Sequence, residues 1–288
     1  MNSSIKLFLT LLLVSLFYSC TERVEIKTRT GESKLAIFGY ITNENTQHYI
    51  KITRSDTYFS TDAPQGISNA TVTIDDGDTV FILTESPETP GLYQTEEMRG
   101  EEGKTYTLNI SLDFDNDGVE EQYRATTSMP YATRIDSVVL APSVSFIPQL
   151  LLYGLIPNNQ RNELALYVTK NKSAETIFDY FMIISDLYFE GYEIDGYELP
   201  FVVEDGIAEG DTILFRVSSF SGDFADFISQ ARSEASGRNP IFSGPPADVK
   251  SNVEALDDEN TVGIVGAFGV FSLDEKSTIS ERNFLLPR

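Results

Sequence analysis

Three carboxylates stand at alternate positions ahead of a glycine in Asp113-x-Asp115-x-Asp117-Gly118. Oxygen ligands at that spacing resemble the first half of a calcium loop, where they converge on a hard cation. Asp113, Asp115 and Asp117 are therefore the candidate metal ligands, and calcium is the ion they would take. The twelfth position of such a loop is a bidentate Glu, and here it is Arg124, while Glu120 and Glu121 come too early for that role. A solvated hairpin tip explains the same residues, because Asn116 to Gly118 already supply turn chemistry.

Nucleophilic catalysis finds little material. A serine or cysteine nucleophile needs an imidazole base. The sole histidine, His48, opens an alternating strand, where it reads as a surface or edge residue. Neither a Gly-x-Ser-x-Gly elbow nor a phosphate-binding Gly-x-x-x-x-Gly-Lys-Ser/Thr loop occurs. Gly263, Gly266 and Gly269 recur every third residue, which is not the dinucleotide fingerprint and reads as close backbone packing in a strand. A glycosidase pair needs two carboxylates at fixed separation beside aromatic platforms, and the chain has no Trp. No catalytic residue is assigned, and the expectation is a protein that is not an enzyme. Arg216, Tyr188, Tyr192 and Tyr197 would suit a binding surface if exposed, and tyrosines in a β-rich chain serve equally as cross-strand partners. No ligand-binding residue is named from them.

The only cysteine, Cys20, closes a segment with its own logic. Lys6 gives a positive start, Leu7 to Tyr18 run apolar apart from Thr10 and Ser15, and Ser19 is small. That is the layout of a secretory signal with a small-residue cleavage site. About a dozen apolar residues fall short of the ~20 needed to span a bilayer. Met1 to Cys20 resembles a bacterial lipoprotein signal, with Phe17 standing where Leu is usual. The resemblance implies lipidation of Cys20, a membrane attachment through acyl chains, and a body outside the cytoplasm. Thr21 to Glu32 then reads as a polar tether.

The formal charge of −23 at pH 7 repels phosphate backbones, so nucleic acid is not an expected partner. With no second cysteine, no intramolecular disulfide supports the fold, and packing must do so. Fourteen Tyr and nineteen Phe suit β-sheet surfaces.

The elements that must position these residues are mostly strands. Leu35 to Thr42, His48 to Thr53, Ala70 to Ile74, Thr79 to Thr84, a piece from Gly91, Thr105 to Phe114 and Val119 to Thr127 are short β-rich runs. Turns at Asp75 to Asp78 and Asp115 to Gly118 carry the Asp-Gly hairpin signal. About seven strands without helical periodicity predict an immunoglobulin-like antiparallel sandwich over residues 33–128. Beyond Met129-Pro130 a second β-rich domain is expected over 129–288. It takes strand pieces from Val138 to Ile156, strands at Asn162 to Lys170, Leu199 to Val203 and Asp211 to Ser218, and a final strand at Thr261 to Ser272. Tyr180 to Gly191, nearly continuous in apolar residues, is expected to be a central strand buried on both faces. One helix is predicted after Ser221, its cap, with Phe224, Phe227, Ile228 and Ala231 on one face and Gly237 and Pro240 ending it. The domain plan is thus a signal over 1–19, lipidated cysteine and tether over 20–32, and two β domains.

Leu35 to Ser55 (LAIFGYITNENTQHYIKITRS), Ser68 to Ile74, Pro90 to Tyr93, Gly103 to Leu108 and Arg134 to Val138 occur in an order that resembles a Bacteroidota envelope lipoprotein family, domain of unknown function 4249. Asn239 to Ser243, Ser251 to Val253 and Gly263 to Ser272 extend the likeness over most of residues 23–275. The resemblance implies an outer-membrane lipoprotein, on the cell surface or beneath it, associated with TonB-dependent outer-membrane transporters. It supplies no active-site motif. The function expected on that basis is an accessory or ligand-binding component of a nutrient uptake system, and the alternative is a structural or adhesive surface protein.

Overall fold

The structure, a computed structural model, describes residues 33–55, 63–142, 148–157, 162–172, 176–180, 182–187, 189, 191–200, 206–235, 249–256 and 262–284. Cys20 and its leader, Tyr188, Gly237 and Pro240 lie outside the described residues.

Alternation of apolar and polar side chains builds the first strands. In β1 (Leu35–Thr42), Leu35, Ile37 and Ile41 face one way and are fully buried, while Phe38 and Tyr40 face the other. It pairs antiparallel with β2 (Tyr49–Arg54), which pairs with β3 (Gln65–Gly66) and β7 (Leu92–Gln94), and β6 (Thr84–Glu85) closes that end. A second sheet runs β16 (Glu254–Ala255), β9 (Glu121–Ser128), β8 (Thr105–Leu112), β4 (Thr71–Asp75), β5 (Val80–Ile82). Val72, Ile74, Leu108, Ile110, Tyr106 and Tyr123 of this sheet pack with the inward residues of β1 and β2 as one core. This is the sandwich expected of the N-terminal half.

The strands expected to form a separate second domain continue the same large sheet. β12 (Glu163–Lys170) and β15 (Thr212–Phe220) pair antiparallel, and β15 pairs with β17 (Ile264–Ile279). Residues 264–271 of β17 then lie parallel to β1, in register from Leu35 opposite Ile264 to Thr42 opposite Phe271. The nine-stranded sheet therefore crosses the expected boundary at 128/129 without a break. A third sheet of β10 (Arg134–Pro142), β11 (Pro148–Leu155) and β14 (Glu193–Pro200) covers β12 and β15 through Ile135, Leu150, Leu152, Leu199, Phe215 and Val217. Both small sheets sit on one face of the large one, because Val217 of the second core stands opposite Asp274, two pleats from Val270 of the first.

The other face carries the helix. α1 (Gly222–Ala235) buries Phe224, Ala225, Phe227 and Ile228 against Ala165, Phe220, Ala267 and Phe271. Ser221 precedes it as expected, its carbonyl accepting from the amide of Ala225 at 3.0 Å. Asp223 in the first turn and Arg232 in the last complement the helix dipole. Arg232 also lies over the Tyr180 ring, 4.2 Å from its centroid. Among the described residues no helix is long and apolar enough to cross a membrane.

Two further expectations are corrected. Among the described residues the apolar run from Tyr180 yields only β13 (Met182–Ser185), at the edge of the large sheet and half-exposed rather than central and buried. Asp186 ends that strand: its carboxylate accepts from the backbone amide of Asn162 at 2.7 Å and the side-chain amide at 3.0 Å, and its carbonyl receives the amide of Phe189. The last strand runs to Ile279, seven residues past the expected end at Ser272. Its polar half (Asp274, Glu275, Lys276) is held by pairing with β15, which no local hydrophobic pattern announces.

β17 changes partner midway, pairing with β1 on one edge and then β15 on the other. Two asparagines close part of what this leaves open. Asn252 accepts from the Phe268 amide at 2.9 Å and donates to its carbonyl at 2.8 Å, and Asn43 does the same for Leu273 at 3.0 and 3.1 Å. A buried backbone group without a partner is costly, and these side-chain amides stand in for a missing strand.

Candidate functional site

The three aspartates predicted as metal ligands do come together. One carboxylate oxygen from each of Asp113, Asp115 and Asp117 lies within 4.8 Å of the others, at the tip of the β8–β9 hairpin. Turn chemistry gathers them. Asp113 accepts from the amides of Asp117 and Gly118 at 3.1 and 3.0 Å, Asp115 from Asp117 at 3.1 Å, and Asp117 from Val119 at 2.8 Å. Asn116 and Gly118 supply the positive φ angles of the tip, 62° and 89°. Asp115 and Asp117 are exposed. The outer positions of a calcium loop are engaged elsewhere: Arg124 donates from Nε to Asn109 Oδ1 at 3.0 Å, Glu120 accepts from Ser111, and Glu121 accepts from the Phe114 amide. The residues would hold calcium through three carboxylates and water alone. With affinity at the millimolar end of calcium sites, about 1 mM calcium is expected to stabilise the chain by less than about 1 kcal/mol. A calcium titration followed by thermal melting checks this, and a larger shift would establish a complete site.

His48 is not the surface residue that the sequence suggests. It is 3% exposed, its backbone amide donates to Thr95 Oγ1 at 3.0 Å, and its Nε2 lies 3.2 Å from the Met98 carbonyl. The bridge between Thr46 and Met98 folds the β1–β2 connection over the ring. Burial pushes the His48 pKa down, against the Met98 carbonyl that favours the protonated ring. The unfolded chain therefore takes up this proton first as pH falls below about 6.5, so stability declines from there down to the folded-state pKa. His48→Gln is expected to lack that decline in denaturation curves across pH 5–7. A wild type whose stability is flat over this window would show that the ring is not held neutral.

Of the three glycines expected to pack closely against backbone in a strand, Gly266 does so, Gly269 meets a side chain, and Gly263 precedes β17 with only the Lys34 side chain beside it. A Cβ on Gly269 would lie 2.3 Å from the Phe224 ring, and one on Gly266 would lie 1.9 Å from the Ile37 carbonyl oxygen. Tyr192 and Tyr197 are exposed, flanking or within β14, whereas Arg216 lies on the helix-bearing face of the large sheet. The structure does not bring Arg216 to those tyrosines.

What the sequence did not single out is where Arg216 does go. It enters a cleft with Tyr40 and Thr42 of β1, Tyr167 of β12 and Glu44, enclosing about 70 Å³. Tyr167 and Arg216 stand opposite each other across β12 and β15, and Arg216 and Glu275 across β15 and β17. Arg216 donates from Nε and Nη2 to one oxygen of Glu275 at 2.8 and 2.7 Å. Tyr167 donates to the Ile177 carbonyl at 2.9 Å. Burial raises the pKa of both Tyr167 and Tyr40, helped at Tyr40 by Glu44 and opposed there by Arg216. A larger open groove of about 410 Å³ lies between α1 and residues 250–254, lined by Asp223, Asp226, Lys250 and Glu254 above Phe227.

Among the described residues these features define a mostly-β, sandwich-like protein with one helix packed on its principal sheet. The chain belongs to the family described as domain of unknown function DUF4249, whose model matches residues 21–277. That span takes in every described element from β1 onward except the last two residues of β17. None of the curated proteins compared matches the chain.

Proposed function

We propose that this chain is a non-catalytic outer-membrane lipoprotein, anchored through Cys20, that acts as an accessory or ligand-binding component of a TonB-dependent nutrient uptake system. The observation that carries the reading is the lone cysteine closing an apolar leader, immediately ahead of a family domain that begins at residue 21. Two or more acyl chains at about 0.8 kcal/mol per buried methylene give a stable anchor, whereas a single chain does not. A net charge of −23 keeps the body off an anionic lipid surface, so attachment falls to the lipid. Tethering a binding surface beside a transporter raises effective concentration without new chemistry. The sole histidine is engaged under the Met98 carbonyl, which supports a role in binding over acyl transfer.

The test is a mild-detergent pull-down of the C-terminally tagged chain from its own envelope, with Cys20→Ala beside it. A TonB-dependent barrel is expected with the wild type and is expected to be lost, together with membrane association, in Cys20→Ala. Recovery of the lipoprotein alone would count against a stable transporter complex and favour a structural or adhesive surface role.

A further inference from the structure

A guanidinium carries five N–H donors in a rigid planar fork, and donors left unused on a part-buried one are available to a planar acceptor. Glu275 takes two of those on Arg216, through a single oxygen. The Nη1 side has no protein partner among the described residues, and it belongs to a side chain only 20% exposed. The Tyr40 hydroxyl lines the same cleft and likewise has no protein partner among the described residues. Its ring is fixed 5.2 Å from Phe271, so the hydroxyl is held in place rather than free to swing into solvent. Held above its usual pKa by burial, it remains a donor at neutral pH. Tyr167, one strand away, is by contrast satisfied by the Ile177 carbonyl.

We propose that the Arg216 cleft binds the head group of a monocarboxylate, one oxygen accepting from the free edge of the Arg216 guanidinium and the other from the Tyr40 hydroxyl. Charge-assisted bonds of that kind are about twice as strong as neutral ones. The space, about 70 Å³, admits a planar carboxylate while the rest of the ligand projects past the exposed Glu44 into solvent. Glu275 and Glu44 together make a dianion such as phosphate or a compact dicarboxylate a poorer guest than a single charge. The proposal deepens the binding role stated above, and rests on it, by naming a ligand class.

The experiment is a ligand-observed NMR and calorimetric titration of the detergent-solubilised full chain at low ionic strength. The probes are acetate, N-acetylalanine, its methyl ester and inorganic phosphate. Acetate and N-acetylalanine are expected to bind with Kd of about 1 mM, a total binding free energy of about −4 kcal/mol. The ester is expected not to bind, and phosphate to bind more weakly than either acid. A tighter N-acetylalanine assigns the site to peptide C-termini, and equal affinities assign it to free acids; both support the head-group site. Arg216→Gln is expected to weaken binding at least tenfold and Tyr40→Phe about threefold. Tyr40→Phe keeps the ring against Phe271, so it remains a fair test if Arg216→Gln alters the fold. No saturable binding by the wild type, an ester that binds as well as the acid, or a Tyr40→Phe variant of unchanged affinity would each overturn the proposal. The titration needs no partner protein, so its failure leaves transporter association standing, and loss of that association leaves the site standing.

Discussion

Gly266→Ala is expected to lower the stability of the chain by about 4 kcal/mol, combining backbone strain with loss of strand pairing. The position has φ of +108°, which an alanine adopts only under strain. Its new Cβ would lie 1.9 Å from the Ile37 carbonyl oxygen and 2.7 Å from the carbonyl carbon, both backbone atoms that cannot rotate aside. To admit the methyl group, β1 and β17 must separate, and this is the pairing that joins the first strand to the last. At roughly 2–4 °C per kcal/mol for a chain of this size, the midpoint of a thermal melt should fall by about 10 °C. Gly210→Ala is the control. It has φ of +93° with nothing within 4 Å of a Cβ, so it reports strain without crowding. Equal losses in the two variants would mean that the β1–β17 contact adds nothing.

Phe271→Ala should cost about 3–5 kcal/mol, the range for deleting a large buried aromatic side chain. Phe271 is 1% exposed and sits at the centre of a ring cluster, with Phe220 at 4.8 Å, Tyr40 at 5.2 Å and Phe224 at 6.0 Å. Edge and offset contacts of this kind add to the area they bury. The cluster holds α1 to the sheet, so the loss should be local as well as global. Hydrogen exchange is expected to quicken in α1 more than in β8 and β9, which belong to a different core. Ile82→Ala, at a side chain 74% exposed, should stay within about 0.5 kcal/mol. If exchange rises equally in α1 and in β8, the helix is not held by this cluster.

Most strands were legible because alternation is a local property. LAIFGYIT and TYTLNISL carry period-two burial in the sequence and show it in the fold, and the Asp-Gly turns set the β4–β5 and β8–β9 hairpins. The helix was legible for the same reason, its apolar residues falling at helical spacing on one face. The aspartate triad could be seen, and so could its limit, since a turn needs those same oxygens. The misreadings share a cause. An apolar run such as Tyr180 to Gly191 states how hydrophobic a segment is but not which neighbours it has, and Asp186 diverts this one to an edge. A histidine that opens an alternating strand reads as an edge residue, and nothing local announces the Met98 carbonyl, fifty residues away, that lies against the His48 ring.

The amino-acid sequence by itself determined that this chain is acidic, rich in β-type alternation, unable to form an intramolecular disulfide, and apolar over about a dozen residues ahead of its only cysteine. Composition and short-range periodicity carry that information, and both are properties of neighbouring residues. Only the tertiary structure decided that the two halves share one sheet, that β17 extends through a polar segment, and that Arg216 meets Tyr40. Each of these depends on register between strands far apart in the chain, such as Leu35 opposite Ile264. Register is set by the summed packing of whole faces, because a one-residue slip would turn every buried side chain outward.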